Sequence, residues 1–363
     1  MNSNGKAQDT LAKGSLLAFA HIGDLHITDA KKQNYRDFLS IAAQIEIECS
    51  DIIDFVVLPG DNADNGLPAQ YVLVATALKM LSKSVHIIAG DHDMEQGGLD
   101  AFYGNLGADR LPKALTVKGV RCLFLDINGP GSGGPDFRLG DEQAPWFERE
   151  LQETSERGET SVVFVHSYPD DLKGDGETEF FNGLIAAHDV ALVDMGHTHY
   201  NELANDGRTI FAATRSTGQI EEGPVGYSLV TLDRGVVSWR FKALDDAFPF
   251  VMITTPADHR LMRQPNQAVK GLTEVQAVVF GRRDIQNVAC QIEGGDWVAM
   301  TRVPQTRLWR AELSVPPGRL MTLTVQAVDQ SGRPGQHTIR AATPSYVQPD
   351  RLRNGSDAAS VGA

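Results

Sequence analysis

The sequence has few cysteines, an excess of acidic over basic residues and no long apolar run. Only Cys49, Cys122 and Cys290 occur among 363 residues, too few for a disulfide framework and too scattered for a zinc knuckle. No apolar segment approaches the roughly 20 residues that cross a bilayer, so we expect no transmembrane helix. With 33 Lys and Arg against 47 Asp and Glu, the formal net charge is -14. That charge disfavours a protein that binds nucleic-acid duplexes specifically.

The length predicts about two or three domains at roughly 150 residues each. Residues 1–14 are polar and lack the apolar core of a secretory signal, so the expected location is cytoplasmic. The last residues, 346–363, are small and polar, and we predict a disordered tail there.

The rest of the chain shows two different patterns of apolar residues. Between residues 15 and 246 short apolar runs alternate with amphipathic stretches, which predicts an α/β domain. The predicted strands are residues 16–22, 55–58, 85–89, 122–125, 162–165 and 190–193. Residues 35–47 and 69–81 repeat apolar positions at helical spacing and predict two core helices.

From residue 247 to residue 345 the pattern changes to short strands bounded by Gly, Pro and Asp. The predicted strands include residues 275–280, 288–292, 297–300, 308–313, 323–328 and 337–340. About seven short strands in about 100 residues are typical of an immunoglobulin-like β-sandwich. We find no catalytic cluster in this second domain.

Histidines and aspartates recur just after the predicted strands of the first domain. In an open α/β sheet, ligands collect at the carboxyl ends of the strands, so these side chains are expected to converge. The relevant segments are Gly23-Asp24-Leu25-His26, Gly60-Asp61-Asn62-Ala63-Asp64, Gly90-Asp91-His92-Asp93, His166 and Gly196-His197-Thr198-His199.

The spacing of these residues suits metal binding. Alternate residues of an extended segment point to the same side, so Asp24 and His26 can face one cation, as can His197 and His199. Mixed imidazole and carboxylate ligands favour Zn, Mn, Fe or Co over Mg or Ca. A carboxylate such as Asp61 can bridge two ions about 3.5 to 4 Å apart, the geometry in which a metal-bound hydroxide attacks phosphorus. The sequence therefore predicts two divalent transition-metal ions.

The ordered set of motifs resembles the calcineurin-like metallophosphoesterases, over residue 19 to about residue 240. It is closest to the bacterial phosphodiesterases of the cyclic-nucleotide and glycerophosphodiester type. The resemblance implies a four-layer αββα sandwich, and the predicted immunoglobulin-like domain lies outside the resemblance. It also implies a phosphoric ester hydrolase.

The resemblance further implies a role for each matching residue. Asp24, His26 and His199 would bind one metal, and Asp91, His166 and His197 the other, with Asp61 as the bridge. His92 would contact the phosphate and protonate the leaving oxygen as the catalytic acid. Asp64 and Asp93 would steady the ligands and the His92 ring.

Two positions depart from patterns within the family. Asp91 stands where the family usually has Asn, and its charge lowers the formal charge of two divalent ions with three carboxylates to about +1. We expect weaker attraction for phosphate and tighter binding of the second metal. Asn65 stands where protein Ser/Thr phosphatases carry a phosphate-clamping Arg, which disfavours that branch.

The leading hypothesis is a phosphodiesterase that acts on a small phosphorylated substrate. A phosphomonoesterase or nucleotidase of the same family is an alternative, because loops set specificity. A catalytically weak member that binds a partner is the other alternative, and Asp91 is its best support. Asn128, Tyr168 and Arg215 are possible substrate contacts, and a homo-oligomer is possible.

Overall fold

The computed structural model describes residues 16–132 and 136–347. Its first part contains sixteen helices and strands that build two mixed sheets with helices outside them. In chain order these are β1 (Leu17–His21), α1 (Gln33–Glu48), β2 (Phe55–Leu58), α2 (Pro68–Leu78), β3 (Ser84–Ile87), α3 (Asp100–Leu106), β4 (Lys113–Val117), β5 (Val120–Phe124), α4 (Gly140–Glu156), β6 (Thr160–Phe164), α5 (Glu177–Ala187), β7 (Val190–Met195), β8 (Glu202–Asn205), β9 (Ile210–Ala213), β10 (Gly226–Asp233) and β11 (Val236–Ala243).

The first sheet has the order β11-β10-β1-β2-β3, and the second has the order β4-β5-β6-β7-β9-β8. Strands β1, β2 and β3 run parallel, as do β5, β6, β7 and β9. Parallel strands present their carboxyl ends at one edge of a sheet. Each sheet thus gathers several loops at one edge.

Alternating side chains of the buried strands separate the layers. Leu17 and Phe19 of β1 join an apolar cluster between the two sheets, while Ala18 and Ala20 join a cluster beneath α1. On the far side, Leu123 and Val163 pack with residues of α4 and α5. Because a strand buried on both faces needs apolar residues at every position, these strands read as continuous apolar runs. The four-layer α/β arrangement predicted from the sequence is confirmed.

The amphipathic pattern of α1 has a direct structural basis. Phe38, Ile41 and Ile45 follow one another at intervals of three and four, and all three side chains are fully buried. This spacing places them on one helix face, which packs on the first sheet. The sequence predicted α1 as residues 35–47 and α2 as residues 69–81, close to the observed bounds.

The second part consists of antiparallel strands with little helix. They are β12 (Phe250–Thr255), β13 (Leu272–Phe280), β14 (Ile285–Ile292), β15 (Val298–Ala299), β16 (Thr301–Arg302), β17 (Leu308–Ser314), β18 (Leu320–Asp329) and β19 (Pro334–Ala342). They form two four-stranded sheets, β12-β13-β17-β16 and β15-β14-β18-β19, around their own apolar core. The expected all-β second region is thus present.

One apolar cluster spans the boundary predicted at residue 247, next to the separate core of the antiparallel sheets. Phe250, Met252 and Phe280 of the antiparallel region belong to the same buried cluster as Ile41 and Ile45 of α1. Polar contacts reinforce this junction, since Arg307 forms a 2.8 Å ion pair with Asp51. The predicted disordered tail falls mostly on residues 348–363, which lie outside the described residues, as does the polar stretch 1–14.

Candidate metal centre

Loops that follow five parallel strands carry the predicted metal ligands. Asp24 comes three residues after β1, Asp61 three after β2, and Asp91 four after β3. His166 and His197 each come two residues after a strand of the second sheet, β6 and β7. The two sheets therefore contribute ligands from the same edge of the four-layer fold, where carboxyl ends of parallel strands meet.

The described residues contain three groups with metal-ligand geometry; one is His26, Asp64 and His92, and the other two overlap at Asp61. The ligand atoms within each group lie within 4.8 Å of one another. Of the overlapping two, one is Asp61, Asp91, His166 and His197, and the other is His26, Asp61 and His199. Asp61 belongs to both of these groups, which is the arrangement expected of a bridging carboxylate.

Asp24 lies beside the group of His26, Asp61 and His199. Its Oδ2 atom is 3.9 Å from Nε2 of His199 and accepts a 2.8 Å hydrogen bond from the main-chain N–H of His197. The other oxygen, Oδ1, is buried without a hydrogen-bond partner among the described residues. The structure therefore gathers all seven predicted ligands into one region.

The ligand atoms are arranged to bind a cation rather than to form hydrogen bonds with one another. Oδ1 of Asp24 and Oδ2 of Asp61 are buried acceptors that receive no hydrogen bond from the described residues, a costly state for polar atoms. Nε2 of His26 and Nε2 of His199 approach to 3.0 Å. Two ligand nitrogens at about 2.0 to 2.1 Å from one ion are separated by a similar distance. A divalent ion would satisfy the atoms of His26, Asp61 and His199 at once, with Asp24 beside them.

Burial and hydrogen bonding shift the pKa values of the predicted ligands in different directions. Burial raises the pKa of Asp24 to about 7 and lowers the pKa of His26 to about 3. Burial also opposes ionisation of Asp91, but hydrogen bonds with His166 and His197 hold its pKa below the usual range. Such shifts are common where several titratable groups share one buried site.

The main chain is strained at the ligands. His26, Asp61, His197 and His199 all have positive φ angles, between 43° and 64°, a region that non-glycine residues seldom adopt. Strain of this kind persists where the surrounding structure enforces it, and it clusters at functional sites. Four of the seven such residues in the described chain are predicted ligands.

Glycines before two ligands leave room for ligands from other loops. A Cβ atom at Gly60 would lie 2.1 Å from Nδ1 of His166, and one at Gly90 would lie 2.1 Å from Oδ1 of Asp61. Gly60 also has a φ of 128°. The Gly-Asp dipeptides of the sequence thus have a steric reason, because a larger residue would push the ligand loops apart.

His92 is held at the edge of the metal cluster. Its main-chain N–H donates to Oδ1 of Asp61 at 3.0 Å. Its Nδ1 lies 2.8 Å from the main-chain oxygen of Asp64 and 3.1 Å from Oε1 of Glu95. With Nδ1 engaged, Nε2 is the ring nitrogen left for a substrate. Although burial acts to lower it, nearby carboxylates, Asp61 foremost, raise the pKa of His92 above its ordinary value.

Asp93 connects the ligand loops after β2 and β3. Its carboxylate accepts hydrogen bonds from the main-chain N–H groups of Asn62, Ala63 and Gly90 and from the Tyr71 hydroxyl, at 2.9 to 3.2 Å. Burial raises the pKa of this carboxyl to about 6. Asp93 therefore supports the backbone around Asp61 and Asp91.

Asp64 contributes at two points. Its main-chain oxygen orients His92, as above, and its Oδ1 atom lies 3.5 Å from Nδ1 of His26. Gln219 adds to this contact, since its Nε2 is 3.2 Å from the same His26 nitrogen. Neither Glu95 nor Gln219 is among the site residues predicted from the sequence. Glu95 carries a weak signal in its i,i+3 spacing from His92, and Gln219 carries none.

The three possible substrate contacts are engaged within the protein. Asn128 is buried, and its Nδ2 donates to the main-chain oxygen of Ala89 at 2.7 Å. The Tyr168 hydroxyl lies 3.4 Å from a Glu202 oxygen. Arg215 is buried, donates to the main-chain oxygens of Glu222 and Pro224 and lies over the Phe241 ring. These contacts give Arg215 a structural role.

Comparison with curated proteins identifies bacterial relatives. The chain is 28% identical over 203 residues to a protein of Synechococcus sp. named "Probable cyclic nucleotide phosphodiesterase", which covers 52% of this chain and 74% of the relative. It is 27% identical over 124 residues to a protein of Arcobacter nitrofigilis named "Probable glycerophosphodiester phosphodiesterase", covering 32% of this chain and 42% of the relative.

Comparison with solved structures supports the fold. A structure described as a dimetal phosphatase from Danio rerio superposes with a TM-score of 0.50 and 15% identity, covering 63% of this chain and 97% of that one. At this identity the likeness concerns the fold alone. None of the helices in residues 16–132 and 136–347 combines the length and apolarity that a membrane crossing needs.

A family model described as "Calcineurin-like phosphoesterase" matches residues 17–201, just over half of the chain. The match includes Asp24, His26, Asp61, Asp91, His166, His197 and His199, and it ends before the antiparallel region. The chain belongs to the calcineurin-like phosphoesterase family.

Proposed function

We propose that this protein is a binuclear metal-dependent phosphodiesterase. The observation that carries the proposal is that two clusters of histidine and carboxylate side chains share Asp61. Asp24, His26 and His199 would hold the first ion, and Asp91, His166 and His197 the second. When bound, the two ions supply a bridging hydroxide nucleophile and offset negative charge on the phosphate.

His92 is the proposed catalytic acid. Contacts of Nδ1 with Asp64 and Glu95 orient the ring and leave Nε2 for the leaving oxygen. Its main-chain bond to Asp61 fixes its place relative to the shared ligand. A general acid must lie within hydrogen-bond reach of the oxygen that it protonates, and this anchoring serves that need.

Two observations favour a diester over a monoester. A phosphomonoester brings a second negative charge, which enzymes commonly meet with an arginine. At this site Asn65 occupies the position of the phosphatase arginine, and Arg215 is committed to Glu222 and Pro224. Asp91 adds a further negative charge. The relatives named as phosphodiesterases agree with this choice.

The proposed substrate is a small phosphodiester, with Mn, Fe, Zn or Co as the metal. We also propose a cytoplasmic location and a division into a catalytic domain of residues 15–246 and an immunoglobulin-like domain of residues 247–345. The match of the family model to residues 17–201 and the separate apolar core of the antiparallel sheets support that division.

Metal removal and parallel kinetics test the proposal. Protein stripped with a chelator is expected to lose hydrolysis of bis(p-nitrophenyl) phosphate and to regain it with Mn or Co. Failure of both steps contradicts a metal-dependent esterase. A kcat/KM that is much higher for p-nitrophenyl phosphate would instead identify a phosphomonoesterase. Tight metal binding without hydrolysis of either ester would identify a binding protein.

A further inference from the structure

His21 and Asp194 form a buried pair between the two sheets of the catalytic region. Nδ1 of His21 lies 2.5 Å from Oδ1 of Asp194, and neither side chain is exposed to solvent. His21 ends β1 and Asp194 lies in β7, strands that have neighbours on both sides in their sheets. Among the described residues, the contact with its partner is the one polar contact of each side chain, and no hydrogen bond reaches either of them. Each residue is thus the other's polar partner.

The pair stands where the apolar layer between the sheets ends. Leu17 and Phe19 precede His21 on the same face of β1, and Leu192 precedes Asp194 in β7; all three belong to the inter-sheet apolar cluster. Replacing a buried ionic pair with apolar residues is often neutral or stabilising. Stability alone therefore gives no reason for a histidine and an aspartate at these two positions.

The pair lies directly upstream of two metal-ligand loops. Asp24 follows His21 by three residues, and His197 follows Asp194 by three. The two loops meet again at the ligands, where the main-chain N–H of His197 donates to Oδ2 of Asp24 at 2.8 Å. The ends of β1 and β7 are therefore joined by two contacts. One is between His21 and Asp194, before the ligand loops, and the other is between His197 and Asp24, within those loops.

The two ions would depend on these strands to different degrees. Apart from the shared Asp61, every ligand proposed for the first ion follows β1 or β7: Asp24, His26 and His199. The second ion takes only His197 from β7, because Asp91 follows β3 and His166 follows β6. Movement of β1 against β7 would thus disturb the first ion more than the second.

We propose that His21 and Asp194 are a positioning pair for the first metal ion. Their close polar contact fixes the separation of β1 and β7, so that Asp24, His26 and His199 reach one cation. Apolar side chains would make no such polar contact and would let the two strand ends shift. The proposal rests on the metal centre of the proposed function.

Titration of chelator-stripped protein with Mn²⁺ tests the pair without measuring catalysis. Calorimetry gives the number of ions and each Kd, and electron paramagnetic resonance reports the spin coupling of two adjacent Mn²⁺ ions. For Asp194→Asn we expect the Kd of one ion to rise about 10- to 100-fold, the usual effect of losing a supporting partner. The Kd of the other ion should change less than about threefold, and the spin-coupled signal should weaken.

Two further variants separate positioning from stability. The double variant His21→Leu with Asp194→Val leaves no unpaired buried group; we expect it to keep the wild-type Tm or exceed it, yet still to lose affinity for one ion. Asp233→Asn is the control, because Asp233 is also buried and accepts a 2.6 Å hydrogen bond from Gln276. Asp233 lies near the start of β1, at the end of the first sheet that is away from His21 and the ligand loops. This variant should leave both Kd values unchanged.

Wild-type affinity for both ions in the variants would overturn the positioning role, whatever happens to their Tm. If Asp194→Asn does not fold, the double variant decides by the same titration. A wild-type protein that binds no Mn²⁺ would contradict the proposed metal centre itself, so the two failures are distinguishable.

Discussion

Oδ1 of Asp91 lies 3.1 Å from Nε2 of His166. The same oxygen is 3.2 Å from Nδ1 of His197, so a carboxylate stands between two imidazoles at the proposed second ion. An amide oxygen at this position would bring no charge. The electrostatics of the site therefore depend on this one side chain.

Asp91→Asn is expected to raise kcat about three- to tenfold at saturating metal, because each 1.4 kcal/mol of the barrier corresponds to tenfold in rate. Removing one negative charge makes the two metal ions stronger Lewis acids but weakens the binding of the second ion. Steady-state kinetics across Mn²⁺ concentrations measure both effects. Asp141→Asn is the control, because Asp141 is exposed in α4 and the change alters the net charge equally. It should leave kcat and its dependence on Mn²⁺ unchanged. A slower Asn variant would show that Asp91 has another task.

His92→Ala is expected to lower kcat by about 10²- to 10⁴-fold for diesters with poor leaving groups, the range for loss of a general acid. Diesters with activated leaving groups, such as p-nitrophenol, need little protonation and should lose much less. Kinetics on a series of aryl esters, with metal content measured in each sample, check this. Equal losses across the series would point to a role in binding the phosphate.

Gly90→Ala is expected to weaken metal binding at least about tenfold, comparable with losing a residue that supports a ligand. The added Cβ would lie 2.1 Å from Oδ1 of Asp61, which must move. Metal titration measures the effect. Gly183→Ala in α5 is the matched control, because its Cβ meets nothing within 4 Å. It should leave metal binding intact and raise the free energy of unfolding by about 0.5–1 kcal/mol.

Acid should destabilise the antiparallel region through His337. Burial lowers the pKa of this side chain to about 3, and its Nδ1 accepts a 3.0 Å hydrogen bond from the Ile253 main-chain N–H. The unfolded chain binds a proton more readily, so this contribution is complete above about pH 6.5 and is lost as the pH falls towards 3.

Between pH 7 and pH 5 the resulting loss in unfolding free energy is about 2 kcal/mol, at 1.36 kcal/mol for each pKa unit. Urea unfolding at both pH values checks this. In His337→Asn the amide oxygen can still accept the bond from Ile253 but does not titrate, so the pH dependence should shrink by that amount. An unchanged pH dependence would contradict the assignment.

The local chemistry of this protein can be predicted from its sequence. Asp24, Asp61 and His166 each follow a run of apolar residues, and such runs form buried strands whose carboxyl ends meet. A spacing of two, as in Asp24 and His26, indicates metal binding without knowledge of the fold. The expectation that His197 and His199 face the same cation is wrong, because the structure places them in two different ligand groups. The helical spacing of Phe38, Ile41 and Ile45 likewise predicted the buried face of α1.

Tertiary structure decided which distant residues meet. Glu95 and Gln219 reach the site through loop geometry, and the partner of His21 is 173 positions away, in another sheet. The apolar cluster that joins Ile41 of α1 to Phe250 of the antiparallel region also cannot be predicted from the sequence. Periodicity records only which face of an element is buried, because it arises from the element's own geometry. What covers that face depends on how the elements pack, and packing is a property of the whole fold.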